Sequence, residues 1–183
     1  SAAAHTLVSA PPRRLLPGLC AALALCLLGC STPKRLDRGE LLGALGQCSL
    51  STYQGARAAA DRLVTATAAL AAAPSDPSRA AARAAWDSTM EVWQQAELLR
   101  YGPAADFETV GGKGLRAQIY AWPDVNRCLI DEQLVSRAYE GALANLSVST
   151  RGLAALEYLL FDTSADNGCA PAAPINADGS WAA

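Results

Sequence analysis

Two carboxylates are written into apolar helical patterns, and each could do chemistry there. Glu157 lies in the segment Gly152-Leu153-Ala154-Ala155-Leu156-Glu157-Tyr158-Leu159-Leu160-Phe161. Leu153, Leu156 and Leu160 share one helical face, and Glu157 borders it. Glu97 continues the face made by Trp86, Met90 and Trp93, which recur at i, i+4 and i+7 with Glu97 at i+11. An ionised carboxylate on such a face is costly unless it is paired or bound to a metal. The open alternatives are an ion pair, with Arg151 or Arg100 for Glu157 and Arg100 or Arg116 for Glu97, or an oxygen-donor metal contact. The tryptophan stripe itself reads as core rather than as a ligand platform.

Other chemistries are excluded by residue type. The chain has one histidine, His5, so a Ser-His-Asp triad, an HExxH zinc site and histidine haem ligation have no imidazole downstream of it. Lys34 and Lys113 are the only lysines available to activate a Ser or Cys nucleophile. Gly111-Gly112-Lys113-Gly114 lacks both a preceding strand and the GK[ST] ending of a phosphate-cradling loop. Fifteen basic residues against seventeen acidic ones, net −2, leave no basic footprint for nucleic acid.

The first thirty residues read as an address. Arg13 and Arg14 precede an uncharged apolar run, Leu15 to Leu28, too short for a comfortable membrane span and matched to a secretory signal. It ends in Leu27-Leu28-Gly29-Cys30-Ser31, which resembles a bacterial lipoprotein signal box with Cys30 as the acylated residue. Residues 1–29 are then leader, and 30–36 a lipidated tether. Ser31 after the cysteine favours the outer membrane, with the protein facing the periplasm. The chain opens at Ser1 without a methionine, so residues 1–12 read as a translation artefact or a fragment edge. Cys48, Cys128 and Cys169 remain in a compartment that permits disulfides, without zinc-like spacing.

The elements that must position these groups are helices. Alanine fills 40 of 183 positions, and it has the best helix propensity. Residues 37–73 carry helical spacing at Leu41, Leu45, Cys48, Tyr53, Ala56, Ala60, Leu63, Thr67 and Leu70, with a break expected near 47–51 because of four glycines. Pro74-Ser75-Asp76-Pro77 marks a turn with a cap for the next helix, expected over 78–101 and stopped by Gly102-Pro103. Residues 104–123 read as irregular, with at most one helical turn. A helix over 128–143 is expected to face inward through Leu129, Gln133, Leu134, Ala138 and Leu143, and a final one spans 151–161. The fold class is all-α, an antiparallel helical bundle. Packing 128–143 against 151–161 returns the chain to one end of the bundle, which makes Cys128–Cys169 the first-choice disulfide. Closing that loop stabilises by roughly 3–4 kcal/mol in the chain-entropy model. Cys48 then stays free or pairs elsewhere.

Several segments together resemble one family. Ala85-Trp86, Trp93, Glu97, Arg100 and Tyr101-Gly102-Pro103 are similar to the AW…W…E…R-F-G-P helix of the imelysin-like proteins. Trp122-Pro123 and Ile130-Asp131 resemble the next signature, and Arg151 to Phe161 resembles the GxHxxE segment with its trailing EYLLF. The resemblance covers residues 37–183. It implies an all-helical fold of two similar halves, of which this chain resembles the first, C-terminally truncated. The family is grouped with a proposed metallopeptidase, the insulin-cleaving membrane protease, and with bacterial iron-regulated envelope and iron-uptake proteins. It implies a metal site, with iron or another divalent metal as cofactor, at Glu157 and Glu97, and envelope iron-uptake proteins as partners beside the membrane itself. The motif departs at one position: Gly152 and Glu157 align, but Ala154 stands where the family has histidine. The expected function is therefore an envelope lipoprotein of iron acquisition or metal binding that is not itself a peptidase. The rivals are a peptidase whose other ligands lie in a missing half, and a non-enzymatic helical scaffold for a partner protein.

Overall fold

The computed structural model describes residues 37–141 and 143–182, and every regular element among them is helical. The leader, the tether and Cys30 lie outside the described residues. Two units divide the chain, residues 1–42 and 43–183, and the core and candidate site belong to the second.

Helix α1 runs Arg38–Ala72 without interruption. The break anticipated near 47–51 is absent, and the small hydroxyls there bond to carbonyls of the same helix: Ser49 Oγ to Leu45 O at 2.7 Å and Thr52 Oγ1 to Cys48 O at 2.8 Å. Its opening turns do not supply core, since Leu41, Leu45 and Cys48 are exposed, and the buried positions are Ser49, Ala59 and Leu63.

Helix α2 spans Asp76–Ala96. Ser75 caps it with a reciprocal box, its side chain accepting from Ser78 N–H while Ser78 Oγ accepts from Ser75 N–H at 3.0 Å. The helix ends five residues earlier than the expected 101, and Glu97 is its C-cap, with its N–H donating to Trp93 O. α1 and α2 form an antiparallel hairpin, as the cross-helix bonds show. Tyr53 Oη donates to Leu99 O at 3.2 Å and Thr89 Oγ1 to Ala59 O at 3.2 Å, so the partner number falls as the chain number rises. Ser49 and Tyr101 hydroxyls bond at the open end.

Short elements close over this hairpin. Helix α3 (Leu115–Ile119) is the single turn expected within 104–123. Helix α4 occupies Arg127–Ser136, capped by the Asn126 side chain, which accepts from Leu129 N–H at 3.0 Å. It ends seven residues before the expected 143, at Arg137 in the left-handed region (φ 55°), and short 3-10 turns follow at Ala138–Glu140 and Leu143–Asn145. The inward assignment of Leu134, Ala138 and Leu143 fails accordingly: all three are exposed, and Ile130 and Asp131 are the buried residues of α4. Helix α5 is Gly152–Phe161 and helix α6 Pro174–Ala177.

The core sits between α2, α1 and α5: Leu63, Met90, Trp93, Ala96 and Leu153, with Tyr53, Ala56, Ala85, Trp86, Tyr120 and Leu156 packed against it. α5 runs antiparallel to α2, fixed by two donors from α2. Trp86 Nε1 donates to Leu153 O at 2.9 Å, and Arg83 Nε to Leu160 O at 2.6 Å. The second bond satisfies a C-terminal carbonyl that a helix leaves without an internal partner.

Candidate functional site

The position of α5 starts at its first residue. Gly152 has φ +76°, and a Cβ there would lie 2.5 Å from the Ile119 carbonyl oxygen. Only glycine lets α5 begin against the end of α3 at this distance. Leu153, Ala154, Ala155 and Leu160 are then buried, while Glu157 and Tyr158 are half-buried.

Among the described residues, no arginine forms a salt bridge with Glu157. Its Oε2 accepts a hydrogen bond from Tyr120 Oη at 3.3 Å. The arginines considered as its partners are engaged elsewhere: Arg100 lies 3.9 Å from Asp106, and Arg151 Nε donates to Leu146 O at 3.1 Å. Glu97 pairs instead with Arg116, Nε to Oε2 at 3.4 Å, without hydrogen-bond geometry. Tyr120 connects the two carboxylates electrostatically. Burial pushes its phenol above the ordinary tyrosine range, the charge and hydrogen bond of Glu157 push it further, and Glu97 adds to this while Arg116 opposes it. The result is a chain of polar groups, Arg116–Glu97 and Tyr120–Glu157, across α2, α3 and α5.

Beside it is a cavity of about 260 Å³ lined by Trp122, Val125, Arg127, Ala154, Glu157, Tyr158, Phe161 and Asp162. Ala154 and Glu157 both border this space, so the alanine lies where an imidazole would border it too. Asp131, Tyr158 and Gly168 form a second polar unit that sequence reasoning did not single out. Asp131 is 1% exposed, and its Oδ2 accepts from Tyr158 Oη at 2.9 Å and from Gly168 N–H at 2.7 Å. Burial first, then the hydrogen bond and charge of Asp131, push the Tyr158 phenol up to about 12. Arg127 stands over the Tyr158 ring at 5.4 Å. An apolar cavity of about 390 Å³ lies on the other side of α5, lined by Tyr53, Leu63, Thr89, Trp93, Leu153 and Leu156 among others. Among the described residues, the buried Trp93 indole N–H has no hydrogen-bond partner.

The donor set decides what a metal could do here. Glu97, Tyr120 and Glu157 offer oxygen alone, which suits hard cations. A hydrolytic zinc centre takes three nitrogen, sulfur or carboxylate ligands and leaves one position open for water. Among the described residues, no group of three His, Cys, Asp or Glu close enough to hold a metal includes Glu97 or Glu157, and the two line different cavities. These residues therefore do not fit a hydrolytic metal centre, and no peptide-cleaving step is derived from them. The one three-residue cluster among the described residues is elsewhere: Cys128, Glu132 and Cys169, with ligand atoms within 4.8 Å of one another. In it Cys128 and Cys169 are joined as a disulfide, while Cys48 is free and exposed.

Comparison with known proteins places the sequence in a family. No solved structure matches the chain. Iron-regulated protein A of Synechococcus elongatus is 29% identical over 153 residues, which is 82% of this chain and 40% of that protein. The chain thus spans less than half the length of this relative. The sequence pattern of the imelysin family matches residues 49–178, which includes both glutamates, Gly152, all of α2 and α1 from Ser49 on. The chain belongs to the imelysin family.

Proposed function

We propose that this protein serves iron acquisition at the bacterial envelope as a lipid-anchored, metal-binding member of its family that does not cleave peptides. The observation that carries the reading is the Glu157 site. Glu157 is half-buried and hydrogen-bonded to Tyr120 beside a cavity that Ala154 also lines, and under this reading it is the family's carboxylate with Ala154 at the histidine position. The relative named as iron-regulated supports the link to iron. The apolar run ending at Cys30 supports the anchor, and among the described residues no helix is long and apolar enough to cross a membrane.

Under this reading the metal contact is made by oxygen, from Glu157 and Glu97, with the remaining ligands supplied from outside these 183 residues. Titration of the full-length protein with ferric and ferrous iron tests it. Glu157→Ala should weaken iron binding by roughly tenfold or more, the minimum that loss of even an outer-sphere partner costs. Unchanged binding in Glu157→Ala would remove the metal contact from this helix. Unimpaired growth of a deletion strain under iron limitation would remove the role in acquisition.

A further inference from the structure

The corner formed by the start of α4 and the loop after α5 stands apart from Glu157. Cys128 is the second residue of α4, and Glu132 lies one turn on, with its carboxylate oxygen 3.9 Å from Cys128 Sγ. Cys169 comes from the loop, with its Cα 4.3 Å from that of Cys128. Helical spacing at i and i+4 directs the first two side chains to the same face.

The loop does not depend on the disulfide for its place. Gly168 N–H, one residue before Cys169, donates to the buried Asp131 carboxylate at 2.7 Å. A Cβ on Gly168 would lie 2.6 Å from Arg127 Cβ, so the loop backbone lies directly on the first turn of α4. Cys169 N–H is held in turn by Asn167 Oδ1 at 2.9 Å. These contacts are made by groups other than the two sulfurs, so opening the S–S bond removes none of them directly. The disulfide is also reachable: both cysteines are half-buried, and a cleft of about 490 Å³ lined by Asp166, Asn167, Cys169, Pro171, Asn176 and Trp181 leads to Cys169.

We propose that reduction of the Cys128–Cys169 disulfide turns this corner into a zinc-class metal site with Cys128, Cys169 and Glu132 as ligands. The reductant is a dithiol. Its two thiols give two electrons and two protons to the protein disulfide, leaving two protein thiols and the dithiol's own disulfide. Metal binding then releases the two thiol protons, because thiolate is the ligand. Two thiolates on a tetrahedral zinc stand about 3.8 Å apart, given Zn–S bonds of about 2.3 Å. Two thiolates and a carboxylate leave the fourth position to water, and soft sulfur selects zinc over the hard cations suited to Glu157.

The test is zinc titration of the full chain, oxidised and reduced with a non-thiol phosphine, against a chromophoric chelator. The reduced chain should bind zinc and the oxidised chain should not. Cys48→Ser should bind as the parent does, whereas Cys128→Ser and Cys169→Ser should lose the site. Glu132→Gln, which keeps both thiols and is half-exposed, should weaken binding by roughly tenfold or more. Cobalt added to the reduced parent should show thiolate charge-transfer absorption. Zinc uptake that survives Cys128→Ser overturns the proposal, as does equal affinity in Glu132→Gln and the parent. Loss of the native circular dichroism on reduction also overturns it, because the site would then not be held ready by Asp131.

Discussion

Asp131 shows how far one buried carboxylate can organise its surroundings. It is fully enclosed, yet its single Oδ2 holds the Tyr158 hydroxyl on α5 and the Gly168 amide in the following loop. Removing the acceptor strands two donors, so Asp131→Ala should destabilise by about 2–4 kcal/mol in denaturant unfolding. The same contact is visible in a titration. Tyr158 keeps its proton up to about pH 12 in the folded chain and loses it near 10 when unfolded. Its contribution to stability is therefore complete below pH 10 and fades as pH rises through 12. Asp131→Asn should move one tyrosine of the ultraviolet pH titration back toward the ordinary range. At the neighbouring site, Ala154 borders the cavity that Glu157 also lines. Ala154→His should raise the affinity of the full-length protein for a divalent metal, measured by calorimetry. No change with the fold intact would mean that this cavity is not a metal site.

At the scale of elements, legibility in the sequence depends on whether the signal is local. The Ser75 cap and the Trp86–Met90–Trp93 face are local, and α2 begins and faces as they indicate, but it ends at Ala96, before the Gly102-Pro103 stop. Glycine propensity overstates the break in α1, where Ser49 and Thr52 bond within the helix and packing from α2 holds it. The length of α4 is illegible for a different reason. Its C-terminus is set by Arg137 in a left-handed conformation, which no residue-type rule marks. The two glutamates are legible as out of place on apolar faces. The Tyr120 partner of Glu157 is not, because the tyrosine comes from the irregular connection and meets the glutamate only in the tertiary fold. Asp131 has no periodic signal and is visible only as part of a resemblance. α5, at ten residues, is too short to be helical alone. Gly152→Ala should cost about 2–4 kcal/mol, from a positive φ and from contact with the Ile119 carbonyl, read as a fall in the thermal midpoint.

For the whole molecule, the share of its relative's length that it spans and the proposed anchor set the remaining expectations. The chain spans 40% of the iron-regulated relative. Under the proposed function, the groups that complete the Glu157 site belong to the part of that length which these 183 residues do not span. The anchor can be tested independently of them. Cys30→Ser should release the protein from membranes into the soluble envelope fraction, followed by fractionation and immunoblot. A variant that stays with the membranes would end the lipoprotein reading. Two acyl chains hold stably where one does so only marginally, so release should be complete rather than graded.

The contact of Gly152 with Ile119 also acts as an angular reference. A helix turns by about 100° per residue, so the point where α5 touches α3 sets which side chains face which space. With that phase, Leu153 and Leu160 enter the core, while Ala154, Glu157 and Tyr158 border the polar cavity. One residue inserted directly after Gly152 would leave that contact in place and rotate this allocation by more than a quarter turn. Glu157 would leave Tyr120, and leucines would turn toward the polar cavity. The first reporter of such a slip would be Trp86, whose indole N–H is bonded to the Leu153 carbonyl, and its fluorescence should change before helix content does.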